Sequence, residues 1–243
     1  MERLRGEAVG FMESMIAVQD LEKDFVLHLQ GGVRLSVLKG INLEVGSGEC
    51  VVLNGPSGSG KSTFLRLLYG NYKPERGNIF LRHEDEMVDM GKVESRLVLN
   101  IRKHTVGYVS QFLRVIPRIP ALQVIMEPIR ALGISMEEAR SMAEDLLGRL
   151  HIPRRLWTIS PTTFSGGEQQ RINIARCFAF PYPVLLLDEP TAALDATNRN
   201  IVVELIREAR ERGTAIVGVF HDEEVRDAVS TRIFEMSSDE VKK

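Results

Sequence analysis

The chain has 243 residues, 44% apolar and 26% charged, with 31 Lys and Arg against 33 Asp and Glu for a formal net charge of −2. That length suits one large domain or two small ones at about 100–200 residues each, and the composition excludes disordered, collagen-like and coiled-coil chains. The near-neutral balance excludes a global attraction to nucleic acid or acidic lipid, so any bound anion must be held by a local device.

Two cysteines, Cys50 and Cys177, stand far apart in apolar surroundings without CxxC spacing. They suit buried thiols in a reducing, cytoplasmic compartment rather than a disulfide framework. No apolar run approaches the ~18 residues of a spanning helix, so direct membrane insertion is not expected and any spanning would fall to another chain.

Residues 1–14 are expected to be a polar N-terminal extension without the apolar core of a signal peptide, leaving Met1 and Met15 both open as the start. From Ile16 to Val45 the apolar positions alternate. Phe25, Leu27 and Leu29 share a face, Gln30-Gly31-Gly32 turns, and Val33, Leu35, Val37, Ile41, Leu43 and Val45 follow, which predicts antiparallel strands. Residues 49–53 form a short β-branched run. A glycine loop and an amphipathic stretch, 62–69, closed by Gly70, come next, giving strand, loop and helix.

The character changes over 112–164. Pro117, Pro120 and Pro128 are expected to break the early part, and Ser135 with Glu138 has the spacing of a capping box. Behind it Ala139, Met142, Leu146, Leu147 and Leu150 fall on one helical face. This segment is predicted to be a mostly helical insertion between halves of an α/β core. A helix (167–178), a buried strand (184–187), a helix (198–212, stopped by Gly213) and a buried strand (214–220) follow. Strands alternating with helices predict a parallel sheet covered on both faces. The charge run 207–212 reads as the solvated face of its helix. His28, His83, His104 and His151 lack ligand-like spacing, and no internal repeat is present.

Two segments carry chemistry. Gly55-Pro56-Ser57-Gly58-Ser59-Gly60-Lys61-Ser62, followed by Thr63, fits G-x4-G-K-[ST] between a predicted strand and a predicted helix. Backbone N–H groups can wrap a polyphosphate only where no Cβ intrudes, hence the glycines. The helix N-terminus adds free donors, Lys61 a cation near the β- and γ-phosphates, and Ser62 a hydroxyl able to ligate Mg²⁺. The second segment is an apolar strand running into Asp188-Glu189. Two acids at the end of a buried strand are costly unless a cation compensates. Asp188 is therefore expected to serve Mg²⁺ and Glu189 to deprotonate a water. The competing interpretations are a ligand-free glycine turn and an acidic helix cap.

Four further segments carry a family resemblance. Phe164-Ser165-Gly166-Gly167-Glu168-Gln169-Gln170-Arg171 resembles the signature motif of ATP-binding cassette (ABC) ATPases, with Phe164 for Leu and Glu168 for the first Gln. Gln111 resembles the Q-loop glutamine, implied to serve both the metal and catalysis. His221 resembles the switch histidine, and Ala192-Ala193-Leu194-Asp195 the D-loop. The resemblance spans residues 15–236. It implies a P-loop NTPase fold, α/β, as a single ABC nucleotide-binding domain (15–243) with an antiparallel β lobe and a helical subdomain at about 112–164. Implied with it are ATP and Mg²⁺ as cofactors and Phe25 as the aromatic against adenine. Ser165, Gly166 and Gly167 would face the γ-phosphate held by another subunit, with Asp195 at the seam of a homo- or heterodimer of ABC subunits.

For the subgroup, Val106-Gly-Tyr-Val-Ser-Gln-Phe-Leu-Arg-Val-Ile-Pro-Arg-Ile119, Arg155-Leu-Trp157 and Phe220-His-Asp-Glu-Glu-Val-Arg226 are similar to the L component of the carbon–phosphorus lyase system of phosphonate degradation. That resemblance implies the lyase core complex as partner. The alternative is the ATPase of a lipoprotein-release or macrolide-efflux transporter, with a membrane partner near Gln111 and 113–128, where Arg114 and Arg118 stand among Ile116, Pro117 and Ile119. A DNA-repair ATPase fails on length, since the interval from Gln111 to Ser165 holds no long coiled coil, and no nucleic-acid footprint is present.

Overall fold

Two long strands open the structure, a computed structural model that describes residues 14–27, 32–111 and 117–236. The expected N-terminal extension up to residue 13, His28, Leu29, Gln30-Gly31 and the segment 112–116, with Arg114 and Ile116, lie outside the described residues. β1 (Ser14–Leu27) and β2 (Val33–Gly46) pair antiparallel from Ser14 opposite Gly46 to Leu27 opposite Val33, as the alternation predicts. β4 (Arg76–His83) and β5 (Glu86–Asp89), which the sequence pattern did not announce, extend them to a four-stranded sheet of order β2-β1-β4-β5.

The second sheet has the order β6-β7-β8-β3-β9. Its strands are β3 (Cys50–Asn54), β6 (Val106–Val109), β7 (Val184–Asp188), β8 (Ala215–Val219) and β9 (Arg232–Glu235), all paired parallel. Successive strand residues point to opposite faces, so the apolar runs feed two cores. Cys50, Val52, Leu185, Leu187 and Ile216 pack with the helices α3 (Ala121–Arg130), α4 (Met136–Arg149), α5 (Gly166–Phe178) and α6 (Ala196–Glu211). Val51, Leu53, Val184, Leu186 and Val217 pack with the antiparallel sheet and α1 (Lys61–Leu68). Each Leu or Ile fully buried this way contributes about 1.5–3 kcal/mol. α2 (Ser95–His104) and α7 (Glu223–Val229) complete the fold. Among the described residues no helix is long and apolar enough to cross a membrane.

Three sequence expectations are corrected. Pro128 does not break the chain but lies inside α3. It sits in the last turn of α3, and the hydrogen bond that its missing N–H removes is the one to Val124 O in the turn before. Met142 is 46% exposed, and Ala143 takes its place on the buried face of α4 beside Ala139, Leu146 and Leu147. The run 207–212 is not simply a solvated face: Arg207 donates to Ala228 O, and Arg210 donates to Val229 O and Gly48 O. These guanidinium groups satisfy carbonyls at the C-terminus of α7, where helices leave acceptors unpaired.

Candidate functional site

The residues singled out in sequence gather largely at the carboxyl ends of the parallel strands, where open α/β sheets bind ligands. β3 leads through residues 55–60 into α1. Gly55 and Gly60 have φ of 149° and 90°, and a Cβ would come within 2.5 Å of Met236 O at Gly55 and 2.7 Å of Leu38 Cδ2 at Gly60. Helices α4, α5, α6 and α7 each begin on a side-chain cap, from Ser135, Ser165, Asp195 and Asp222, whereas α1, which begins on Gly60, has neither a side-chain cap nor an acidic residue in its first turn, as is also true of α2 and α3. Lys61 Nζ lies inside the loop's curl, donating to Gly55 O (2.7 Å) and Pro56 O (2.8 Å). Ser59 is buried, and its Oγ has no hydrogen-bond partner among the described residues. An uncapped helix start, a cation held by carbonyls and an orphaned hydroxyl fit a polyphosphate group.

Asp188 ends β7 only 3% exposed. Its Oδ1 accepts from Ser62 Oγ (2.9 Å) and its Oδ2 from Tyr108 OH (3.0 Å). Burial raises the Tyr108 hydroxyl well above the ordinary tyrosine range, and the Asp188 charge adds to the shift. A buried carboxylate next to a serine at a helix start is a donor set suited to Mg²⁺. Glu189 follows with φ of 54°, a left-handed conformation costing roughly 1–3 kcal/mol for a residue with a side chain. Its N–H donates to Val219 O, and its Oε1 accepts from His221 Nε2 at 2.7 Å. An ionised carboxylate only accepts, so Nε2 carries the proton.

The signature-like segment begins α5. Ser165 Oγ accepts from Glu168 N and donates to Glu168 Oε2 (2.7 Å), and that carboxylate also accepts from Ser165 N. These bonds hold the Glu168 carboxyl below its usual range. Ser165 and Glu168 thus form a capping box, a role that the Gln of the resembled motif could also fill. A Cβ on Gly167 would meet Ala193 O at 3.0 Å, which sets this helix start against the D-loop-like turn. Asp195 caps α6 through Asn198 N (2.8 Å), and that bond lowers its carboxyl from the ordinary value. Arg199, one turn on, pairs with Asp222, the neighbour of His221.

Several of the residues singled out in sequence meet directly: Ser62 with Asp188, Glu189 with His221, and Gly167 with the 192–195 turn. Ser165 and Asp195 instead hydrogen-bond within their own helix starts. Gln111 is exposed just beyond β6. Phe25 is half-buried, edge-on to Tyr72 (centroids 5.2 Å), with Lys23 Nζ 5.3 Å from its centroid. Burial pushes both the Cys50 and Cys177 thiols up to about 12, which suits packing rather than reactivity. Sequence inspection passed over Tyr108 and two buried amides of α5: Gln170 donates to Pro190 O and Asn173 to Ser110 O. The amides' spacing of three residues on one helical face is the signal that was available.

The model of the ABC transporter family matches residues 38–192. The lipoprotein-releasing system ATP-binding protein LolD of Geobacter metallireducens is 37% identical over 215 residues, covering 88% of this chain and 92% of that one. An uncharacterized ABC transporter ATP-binding protein of Mycobacterium tuberculosis is 35% identical over 92% of this chain, which spans 65% of that relative's length. Among solved structures, the dimeric post-hydrolysis state of the ATP-binding cassette MJ0796 bound to ADP and Pi superposes with a TM-score of 0.81. Its identity is 30%, covering 92% of this chain and 94% of that one. With the cradle, the acid pair and the signature-like helix start in place, this chain belongs to the ABC transporter ATP-binding family, and its fold is an ABC nucleotide-binding domain, a P-loop NTPase whose cofactors are ATP and Mg²⁺.

Proposed function

We propose that the chain hydrolyses ATP as one half of a head-to-tail dimer and uses the closure of that dimer to drive a partner assembly. The observation that carries this is the 2.7 Å pairing of Glu189 with His221 beside the Ser62–Asp188 contact. It sets a proton acceptor next to a metal-suited donor set. Bound Mg²⁺ would supply charge neutralisation at the β- and γ-phosphates. Lys61 would exchange its two carbonyl partners for phosphate oxygens, Ser62 and Asp188 would hold the metal with Gln111, and Glu189 would take the proton of the attacking water. The exposed Ser165–Gly167 tip and Asp195 would meet the nucleotide and the seam of the other subunit, either a second copy or another ABC subunit. The dimeric state of the MJ0796 cassette supports that arrangement. Phe25 would face adenine.

Lys61→Ala is expected to weaken ATP binding about 10–100-fold, the loss of a charge-assisted contact worth roughly 1.5–3 kcal/mol. Equilibrium binding of a fluorescent ATP analogue checks it, and an unchanged affinity would remove Lys61 from the cradle.

The relatives named above favour a transporter-type partner. LolD is by name part of a lipoprotein-releasing system, which supports a peripheral ATPase docked on a membrane permease. A second reading, the carbon–phosphorus lyase system, is supported by the resemblance of residues 106–119, 155–157 and 220–226 alone, and none of the relatives named above carries a phosphonate name. Affinity capture of the full chain from separated membrane and cytosolic fractions divides the two. A permease recovered from membranes is expected on the first reading. A soluble enzyme complex recovered from cytosol, with slower growth on a phosphonate as sole phosphorus source after gene deletion, would replace it by the second.

A further inference from the structure

A line of polar side chains crosses the site from the base side to the metal side. Arg66, exposed on α1, has its guanidinium held above the ordinary arginine range by hydrogen bonding to the hydroxyl of Tyr72 and, to a smaller extent, to that of Tyr108. Tyr72 is the ring that meets Phe25 edge-on. Tyr108 packs its ring against Tyr69 at 5.0 Å and donates its proton to Asp188 Oδ2, while Ser62 donates to Oδ1.

The directions of these bonds follow from chemistry. A guanidinium has donors and no acceptor, so Arg66 can address Tyr108 only through the lone pairs of the phenol oxygen. The phenol proton is then left to point at Asp188. Asp188, as a carboxylate, only accepts, so both hydroxyls must donate to it. With one oxygen fixed by Tyr108 and the other by Ser62, the carboxylate plane cannot turn about its Cβ–Cγ bond. The proton of Ser62 is committed inward, which leaves the lone pairs of its oxygen directed away from Asp188. Partners of this kind, behind the groups that hold a metal, set ligand orientation, and their loss typically weakens metal binding about 10–100-fold.

We propose that Tyr108, oriented by Arg66, is a positioning residue for the magnesium-holding carboxylate of Asp188. The inference rests on the ATPase function proposed above and adds to it a residue to which the sequence analysis gave no role.

The test uses the full chain in a Glu189→Gln background, so that nothing turns over. The readout is the Mg²⁺ concentration that half-saturates capture of trinitrophenyl-ATP, together with the affinity for the same probe in EDTA. Tyr108→Phe removes one oxygen and keeps the ring packing. It is expected to raise the half-saturating Mg²⁺ concentration about 10-fold and to leave the EDTA affinity unchanged. Arg66→Met should shift Mg²⁺ in the same direction, Arg66→Lys should restore most of it, and Tyr108→Phe with Arg66→Met should go no further than Tyr108→Phe alone.

A purely structural role would move both affinities together and would overturn the proposal. Unchanged or tighter Mg²⁺ dependence in Tyr108→Phe would also overturn it. Should Tyr108→Phe fail to fold, Arg66→Met, at an exposed position, decides alone: a Mg²⁺-specific shift supports the proposal and its absence rejects it. If the parent shows no Mg²⁺-dependent capture, the ATPase function itself falls and the proposal with it, a result distinct from a normal parent with an unshifted variant.

Discussion

Replacing Glu189 by Gln is expected to leave ATP binding in place and to lower turnover about 10²–10⁴-fold, the range for loss of a general base. At 1.36 kcal/mol per tenfold that is roughly 3–5 kcal/mol of barrier. The amide keeps the size of the side chain and an oxygen that can still accept from His221 Nε2, as Oε1 does at 2.7 Å. The backbone at φ 54°, anchored by the bond from Glu189 N to Val219 O, is untouched. What disappears is the ability to take a proton. A hydrogen-bonded pair as accessible as this one, with the His221 side chain 62% exposed, contributes about 0.5–1.5 kcal/mol, so loss of the pairing alone cannot imitate loss of the base. The check is kcat at saturating ATP and Mg²⁺ alongside nucleotide affinity. A kcat within a few-fold of wild type would take Glu189 out of that role.

The parts of this site that were legible in sequence are those made by neighbours in the chain. The glycine loop, Lys61 and Ser62 are one strand-to-helix turn. Asp188-Glu189 is one strand end, and Ser165-Gly166-Gly167 one helix start. Each needs a few residues in a fixed order, because the chemistry is exerted by consecutive backbone groups. The two long antiparallel strands were likewise written in a period of two. What stayed hidden depends on which strands become neighbours. Tyr108 and Asp188 meet because β6 pairs in parallel with β7, and Glu189 meets His221 because β7 pairs with β8. Neither pairing has a local signature. Arg207 and Arg210 looked like a charged surface because α7, whose carbonyls they satisfy, was not anticipated. On α4 the apolar Met142 took precedence in the pattern over Ala143, yet the small side chain is the one that is buried. The partner is illegible for another reason: on the proposed reading the cradle, the acid pair and the signature-like segment serve hydrolysis, and a hydrolytic site carries no record of the assembly it drives.

Ser165→Arg is expected to leave ATP binding to a single chain within a few-fold of wild type and to lower turnover at least about 100-fold, the scale of losing a preorganised electrostatic contact in a transition state. Ser165 sits exposed at the tip of α5, with its side-chain hydrogen bonds confined to the capping box with Glu168. Losing that cap costs the helix about 1 kcal/mol, which a helix packed through Ile172, Ile174 and Ala175 tolerates. The cradle residues keep their own partners, Lys61 with Gly55 O and Pro56 O. The defect therefore lies on the surface offered to another subunit, where a long cation replaces a hydroxyl. A mixing experiment isolates this. Lys61→Ala damages the cradle and spares the tip, whereas Ser165→Arg does the reverse. In a head-to-tail dimer each site takes its cradle from one chain and its tip from the other, so a mixed pair holds one intact site. Random pairing makes half the dimers mixed, and activity should return to roughly a quarter of wild type from two nearly inactive preparations. Rescue on that scale cannot arise if each chain completes its own site. A mixture no more active than its components would overturn a site shared between two copies of this chain.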